Sequence, residues 1–78
     1  MKSRRANRRA KVHELALFIL EHEPNGCSGF TLAELITRAS RFRVDGATLG
    51  MLLKPLVDKG HLSKTLDSQG HVLYAFES

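Results

Sequence analysis

The densest chemistry in this 78-residue chain is cationic. Lys2, Arg4, Arg5, Arg8, Arg9 and Lys11 place six positive charges and no acid in the first eleven residues, and Arg38, Arg41 and Arg43 form a second cluster. Guanidinium groups at this density suit sequence-independent contact with phosphate, because each presents a planar fork of donors and never loses its charge. The formal net charge of +4 conceals an asymmetry, since residues 12–78 hold six cations against eight acids. The basicity therefore belongs to the N-terminal segment. Residues 1–10 are expected to be a flexible arm, frayed when free because cations at a helix N-terminus oppose the macrodipole, and ordered against a polyanion. Residues 11–78 are expected to form one domain. The blander alternatives are a solvated tail for the arm, and for Arg38, Arg41 and Arg43 surface ion pairs to Glu34 or Asp45 worth under about 1 kcal/mol each.

The remaining reactive side chains point away from catalysis. Cys27 is the single cysteine; with no internal disulfide available, a reducing cytoplasm is the expected compartment. His22 and Cys27 are the one close pair of soft ligands, while His13, His61 and His71 are scattered, so no metal site is expected. No spacing of Ser, His and acid matches a catalytic triad, and neither a phosphate-binding glycine loop nor paired catalytic carboxylates occur. A chain this short lacks the length for a sizeable pocket. The expectation is a protein that is not an enzyme and carries no cofactor. The longest apolar run, Leu15 to Leu20, is far too short to cross a bilayer, and no export signal is read. A composition of 42% hydrophobic and 26% charged residues is that of an ordinary globular protein.

Three helical segments and a hairpin are expected to position these residues. Val12, Leu15, Ala16, Ile19 and Leu20 lie on one stripe, giving a first helix from about Ala10 to His22, stopped by Glu23-Pro24-Asn25-Gly26. Leu17 and Phe18 fall outside that stripe and are the expected surface for a homodimer or another partner chain. Thr31-Leu32-Ala33-Glu34 reads as a capping box, with Phe30 and Leu35 as its staple. The second helix then buries Leu32, Leu35, Ile36 and Ala39 and ends near Ser40, and Ser28-Gly29-Phe30 forms a short edge strand. Asp45 is the next N-cap, with Val44 and Leu49 as a staple, and Leu49, Leu52, Leu53, Leu56 and Val57 form the buried stripe of a third helix. That helix is expected to kink at Pro55 yet continue to about Lys59, with Gly60 as a left-handed cap. Leu62, Lys64 and Leu66 alternate, as do Val72, Tyr74 and Phe76, around a turn at Asp67-Ser68-Gln69-Gly70. This is a β-hairpin with a type I turn and glycine bulge.

The order of these elements, and the residues at their joints, resemble the winged helix-turn-helix superfamily over roughly Val12 to Phe76. The carriers are Gly29-Phe30-Thr31-Leu32-Ala33-Glu34-Leu35, the stretch Leu49 to Val57, Asp58-Lys59-Gly60-His61-Leu62, and Gly70 followed by Tyr74 and Phe76. The resemblance implies a mainly α fold with a small β-hairpin: three helices plus a two- or three-stranded wing sheet. It also implies a third helix in the DNA major groove with the wing along the backbone or minor groove. The positions matching that role are Ala47, Thr48, Met51 and Lys54 on the third helix and Lys64 and Gln69 on the wing. Arg38, Arg41 and Arg43 would act as phosphate clamps. That helix offers no Arg, Asn or Gln for bidentate contact with guanine or adenine, so sequence preference is expected to be modest or to come from DNA shape.

The expected function is that of a small transcriptional or architectural DNA-binding protein, with double-stranded DNA as partner. The alternative is a protein-interaction module, an inhibitor or assembly factor using the same fold, and RNA binding through the arm is a third possibility. The acidic balance of residues 12–78 favours the second and the arginines favour the first.

Overall fold

Val12, Ala16 and Leu20 recur at every fourth position and are buried on one side of α1, Arg4–Glu21. The computed structural model describes the backbone of residues 4–77 and the side chains of residues 7–77. Two further helices follow, α2 at Gly29–Ser40 and α3 at Gly46–Asp58, with strands β1 at Cys27–Ser28, β2 at Leu62–Leu66 and β3 at Val72–Phe76. The strands form one antiparallel sheet in the order β1-β3-β2. The chain is thus mainly helical with a three-stranded antiparallel sheet. One core unites Val12, Ala16 and Leu20 with Leu32, Ala33 and Ile36 of α2, Leu49, Leu53 and Leu56 of α3, and Leu62 and Tyr74 of the sheet. Among the described residues no helix is long and apolar enough to cross a membrane.

The first helix begins at Arg4, well before the Ala10 expected from the apolar stripe, and ends at Glu21. Ala6, Ala10 and the interleaved Arg and Lys residues are strong helix formers, and their propensity supports helix ahead of the apolar stripe. Leu17 departs from expectation as well: it is half-buried and packs against the core rather than projecting from it. Phe18 alone of the pair is exposed, at 62%, with its ring against that of His22.

The start of α2 also differs from the sequence reading. Ser28, not Thr31, is the N-cap: its hydroxyl oxygen accepts from the Thr31 backbone N–H at 3.1 Å and donates to the Thr31 hydroxyl at 2.9 Å. The helix turns Gly29, Leu32, Ala33 and Ile36 inward and leaves the expected Leu35 and Ala39 exposed. Gly29 is buried there, where a Cβ would make only ordinary van der Waals contact with the Tyr74 ring at 3.5 Å. Phe30 and Leu35 are 79% and 38% exposed, so the expected staple does not form. The edge strand lies at Cys27–Ser28, where Cys27 pairs with Tyr74 and Ser28 with Leu73.

Side chains fix the connection from α2 to α3. The Thr37 hydroxyl donates to the Val44 carbonyl at 3.0 Å and accepts from the Val44 N–H at 2.9 Å. Ser40 donates to the Ile36 carbonyl at 2.6 Å and accepts from the Phe42 N–H at 3.1 Å. Asp45 caps α3 as expected, accepting from the Thr48 N–H at 2.7 Å, and Val44 and Leu49 are both buried beside it.

Helix α3 runs through Pro55 without interruption to Asp58. The leucine stripe on either side of the proline faces one core and compensates for the lost backbone bond. His13 adds a tie from α1: its Nε2 lies 2.5 Å from the Leu52 carbonyl and carries the proton, since a carbonyl only accepts. Gly60, at φ 81°, closes the helix through bonds from its own N–H to Val57 and from the His61 N–H to Leu56. The hairpin turn is as expected, with the Gly70 N–H bonded to the Asp67 carbonyl at 3.0 Å and φ at Gly70 of 82°.

Candidate functional site

The two cationic segments are far apart in sequence and meet in space. Arg8 Nη2 donates to the Arg43 carbonyl at 2.7 Å across 35 residues, joining the start of α1 to the link before α3. Helical periodicity explains the meeting. Arg8 lies one turn before Val12 on the buried stripe, so its side chain leaves the helix toward the core's edge. Arg9 and Lys11 are exposed beside it. The side chains of Arg4 and Arg5, also expected to contact phosphate, lie outside the described residues.

Arg41 holds the one positive φ among the non-glycine residues described, 64°, as the C-cap of α2, with its N–H bonded to the Thr37 carbonyl. Glycine or asparagine usually occupies this left-handed position, and another residue costs about 1–2 kcal/mol there. Its side chain, like that of Arg43, is exposed. Arg38 sits 2.7 Å from Glu34 in an exposed i, i+4 ion pair, one of the bland alternatives anticipated for it. Such a pair is weak and leaves the guanidinium exchangeable. Arg38 and Arg43 line a common depression with Thr37, Val44, Asp45 and Gly46 at the start of α3.

A larger groove of about 850 Å³ opens on the neighbouring side, between the first half of α3, the hairpin and the start of α2. Open rather than enclosed, it is still larger than the chain length suggested. Phe30, Ala47, Met51 and Val72 line it, with Tyr74 at its base and Lys64 and His71 on its border. Phe30 and Met51 are 79% and 70% exposed. Gly46 and Gly50 add no side chains to the α3 wall of this groove beside those of Ala47 and Met51, and a Cβ at Gly50 would lie 3.6 Å from the Tyr74 hydroxyl oxygen.

Of the positions matched to a DNA-contacting role, Ala47, Met51 and Lys64 line this groove, whereas Thr48 does not. Thr48 is half-buried and engaged with the Asp45 carboxylate. Its N–H and hydroxyl hold that carboxyl below the ordinary range, with a lesser contribution from Arg43. Lys54 is exposed on the next turn and pairs with Asp58 at 3.1 Å. Gln69 is exposed in the hairpin turn, its N–H held by Asp67 at 2.9 Å. The N–H groups of His71 and Gln69 lower the Asp67 pKa.

Phe30 is the groove residue that the sequence reading assigned elsewhere. The signal lay in Ser28: with the cap there, Phe30 falls in the first turn of α2 on the side away from Leu32 and Ile36. Cys27 is buried, and burial together with the Glu23 charge raises its pKa, so the thiol stays protonated and unreactive. Among the described residues no three His, Cys, Asp or Glu side chains gather at a point. No family model matches the chain, and no curated protein matches it.

Proposed function

We propose that the chain is a winged helix-turn-helix protein that binds double-stranded DNA as a transcriptional or architectural factor. In this reading α3 lies in the major groove, the β2–β3 hairpin is the wing, and arginines on the flank contact phosphate. The observation that carries it is the Arg8–Arg43 contact, which makes one cationic surface from two separate clusters. Arg41 supports it independently. Strained backbone at a residue with an exposed, charged side chain is the kind of outlier that a binding role explains. No comparable reason in packing exists for Arg41 or Arg43, whose side chains are both exposed.

Arg8 serves this reading as a brace that fixes the arm's direction, so the phosphate contacts fall to Arg4, Arg5, Arg9, Arg38, Arg41 and Arg43. Lys64, which lines the groove beside α3, and the exposed Lys54 and Gln69 would join them in this reading. Self-association, if it occurs through α1, rests on Phe18 alone, because Leu17 belongs to the core.

A salt titration of binding to random duplex DNA tests the proposal. Counterion release gives a slope of log affinity against log salt of about −0.9 per phosphate contacted. Changing Arg4, Arg5 and Arg9 to Gln while keeping Arg8 should make that slope shallower by up to about 2.7. Changing Arg38, Arg41 and Arg43 to Ala should weaken binding to all sequences by similar factors. A parent protein that binds no duplex at low salt would refute the proposal. The exposed Phe30 and Met51 would then favour the protein-interaction reading.

A further inference from the structure

We infer that the groove between α3, the hairpin and the start of α2 reads thymine, by taking up its C5-methyl group against Phe30, Ala47 and Met51. The inference rests on the proposed binding of duplex DNA and adds what is recognised there. Helix α3 has the sequence GATLGMLLKPLVD, with no Arg, Asn, Gln, Asp or Glu in its first three turns. Of the side chains that distinguish guanine, adenine and cytosine by bidentate or carboxylate hydrogen bonds, α3 offers only Lys54 before its last turn, which pairs with Asp58 and does not line the groove. One major-groove feature remains that an apolar surface recognises by itself, the thymine methyl.

The groove has the matching chemistry. Phe30 and Met51 project into solvent at 79% and 70% exposure, a state that costs hydration until something apolar covers them. Gly46 and Gly50 add no side chains that would hold a base edge away from the α3 backbone. No carboxylate lines the groove, while Lys64 and His71 border it, so its charge suits the phosphates that flank any base pair.

Thymine fits better than the other methylated pyrimidine, 5-methylcytosine. Beside its methyl group thymine presents the O4 acceptor, whereas cytosine presents an N4 amine that needs an acceptor. The one cation here, the Lys64 ammonium, only donates and suits the O4 acceptor; the Tyr74 and Ser28 hydroxyls can donate or accept, and no Asp or Glu is present as a strong acceptor for the amine.

The test compares the full chain on three duplexes at one fixed salt concentration, by fluorescence anisotropy. The first is A·T-rich, the second has the same sequence with deoxyuridine in place of thymidine, and the third is G·C-rich with 5-methylcytosine. Uracil lacks only the methyl group, so affinity should fall about fourfold for each methyl contacted, with the salt slope unchanged. Met51→Ser and Phe30→Ser, both at exposed positions, should bring the thymine-to-uracil ratio toward one. Equal affinity for the thymine and uracil duplexes overturns the inference and leaves the DNA reading standing. The 5-methylcytosine duplex binding as tightly as the thymine duplex overturns the choice of thymine. Failure to bind any duplex at low salt overturns both.

Discussion

Gly50 lies inside α3, five residues into a 13-residue helix, where glycine is about 0.8–1 kcal/mol less favourable than alanine. A methyl group added there meets a single atom, the Tyr74 hydroxyl oxygen at 3.6 Å, which is an ordinary van der Waals contact. Nothing in the fold opposes the substitution, so Gly50→Ala should stabilise the protein by nearly the full propensity difference. In a chain of 78 residues the entropy of unfolding converts about 1 kcal/mol into a rise in Tm of roughly 6 °C. Thermal unfolding followed by circular dichroism at 222 nm measures this directly, with urea titration as the isothermal check. The same methyl narrows the groove over Tyr74 and keeps a DNA edge from the α3 backbone, so duplex affinity should fall as Tm rises, a trade common where function requires a locally poor helix former. An unchanged or lower Tm would refute the reasoning, because it would mean that Gly50 answers to a constraint within the fold itself. A higher Tm with undiminished DNA affinity would leave the stability argument intact and remove Gly50 from the binding face.

Three further outcomes are expected. Arg41→Gly should raise stability by about 1 kcal/mol by relieving the left-handed cap, while weakening DNA binding in the same salt titration. Leu17→Ser should destabilise by about 1–2 kcal/mol because it strips a half-buried side chain from the core, whereas Phe18→Ser should stay within about 0.5 kcal/mol of the parent in urea unfolding. In sedimentation, Phe18→Ser should dissociate any dimer formed through α1. Hydrogen bonds from backbone N–H groups, of Thr48 to Asp45 and of His71 and Gln69 to Asp67, lower both carboxyl pKa values in the fold. Their contribution is therefore present above the ordinary carboxylate range and is lost as pH falls below about 4. The double variant Asp45→Asn, Asp67→Asn should start from a lower Tm at pH 7, having lost that contribution, and show a flatter acid limb when Tm is followed down to pH 2.5.

Much of the local structure was legible in the residues. Asp45 capping α3, the leucine stripe carried through Pro55, Gly60 and Gly70 at positive φ, and the alternation of Leu62 to Leu66 and Val72 to Phe76 all follow from short-range rules. These features need only a few neighbouring residues to form, so a few neighbouring residues reveal them. The errors lay where two local solutions compete. Thr31 to Glu34 satisfies the capping-box pattern, but Ser28 makes the cap, and α2 buries Gly29 and Ala33 where Leu35 and Ala39 were expected. Gly29 is buried beside the Tyr74 ring, on a strand more than forty residues away, a juxtaposition that no local pattern shows. Leu17 likewise seemed surplus to a single stripe on α1, yet α2, α3 and the sheet together present a surface wide enough to bury part of it.

The sequence by itself determined the elements, their order and the excess of cations, because propensity, capping and hydrophobic periodicity act over one or two helical turns. Only the tertiary structure decided that Arg8 meets Arg43 and that Phe30 shares a groove with Met51. Both juxtapositions depend on how the helices and sheet settle around Leu20, Ile36, Leu49, Leu53 and Tyr74, through packing between residues remote in the chain, which no local pattern encodes.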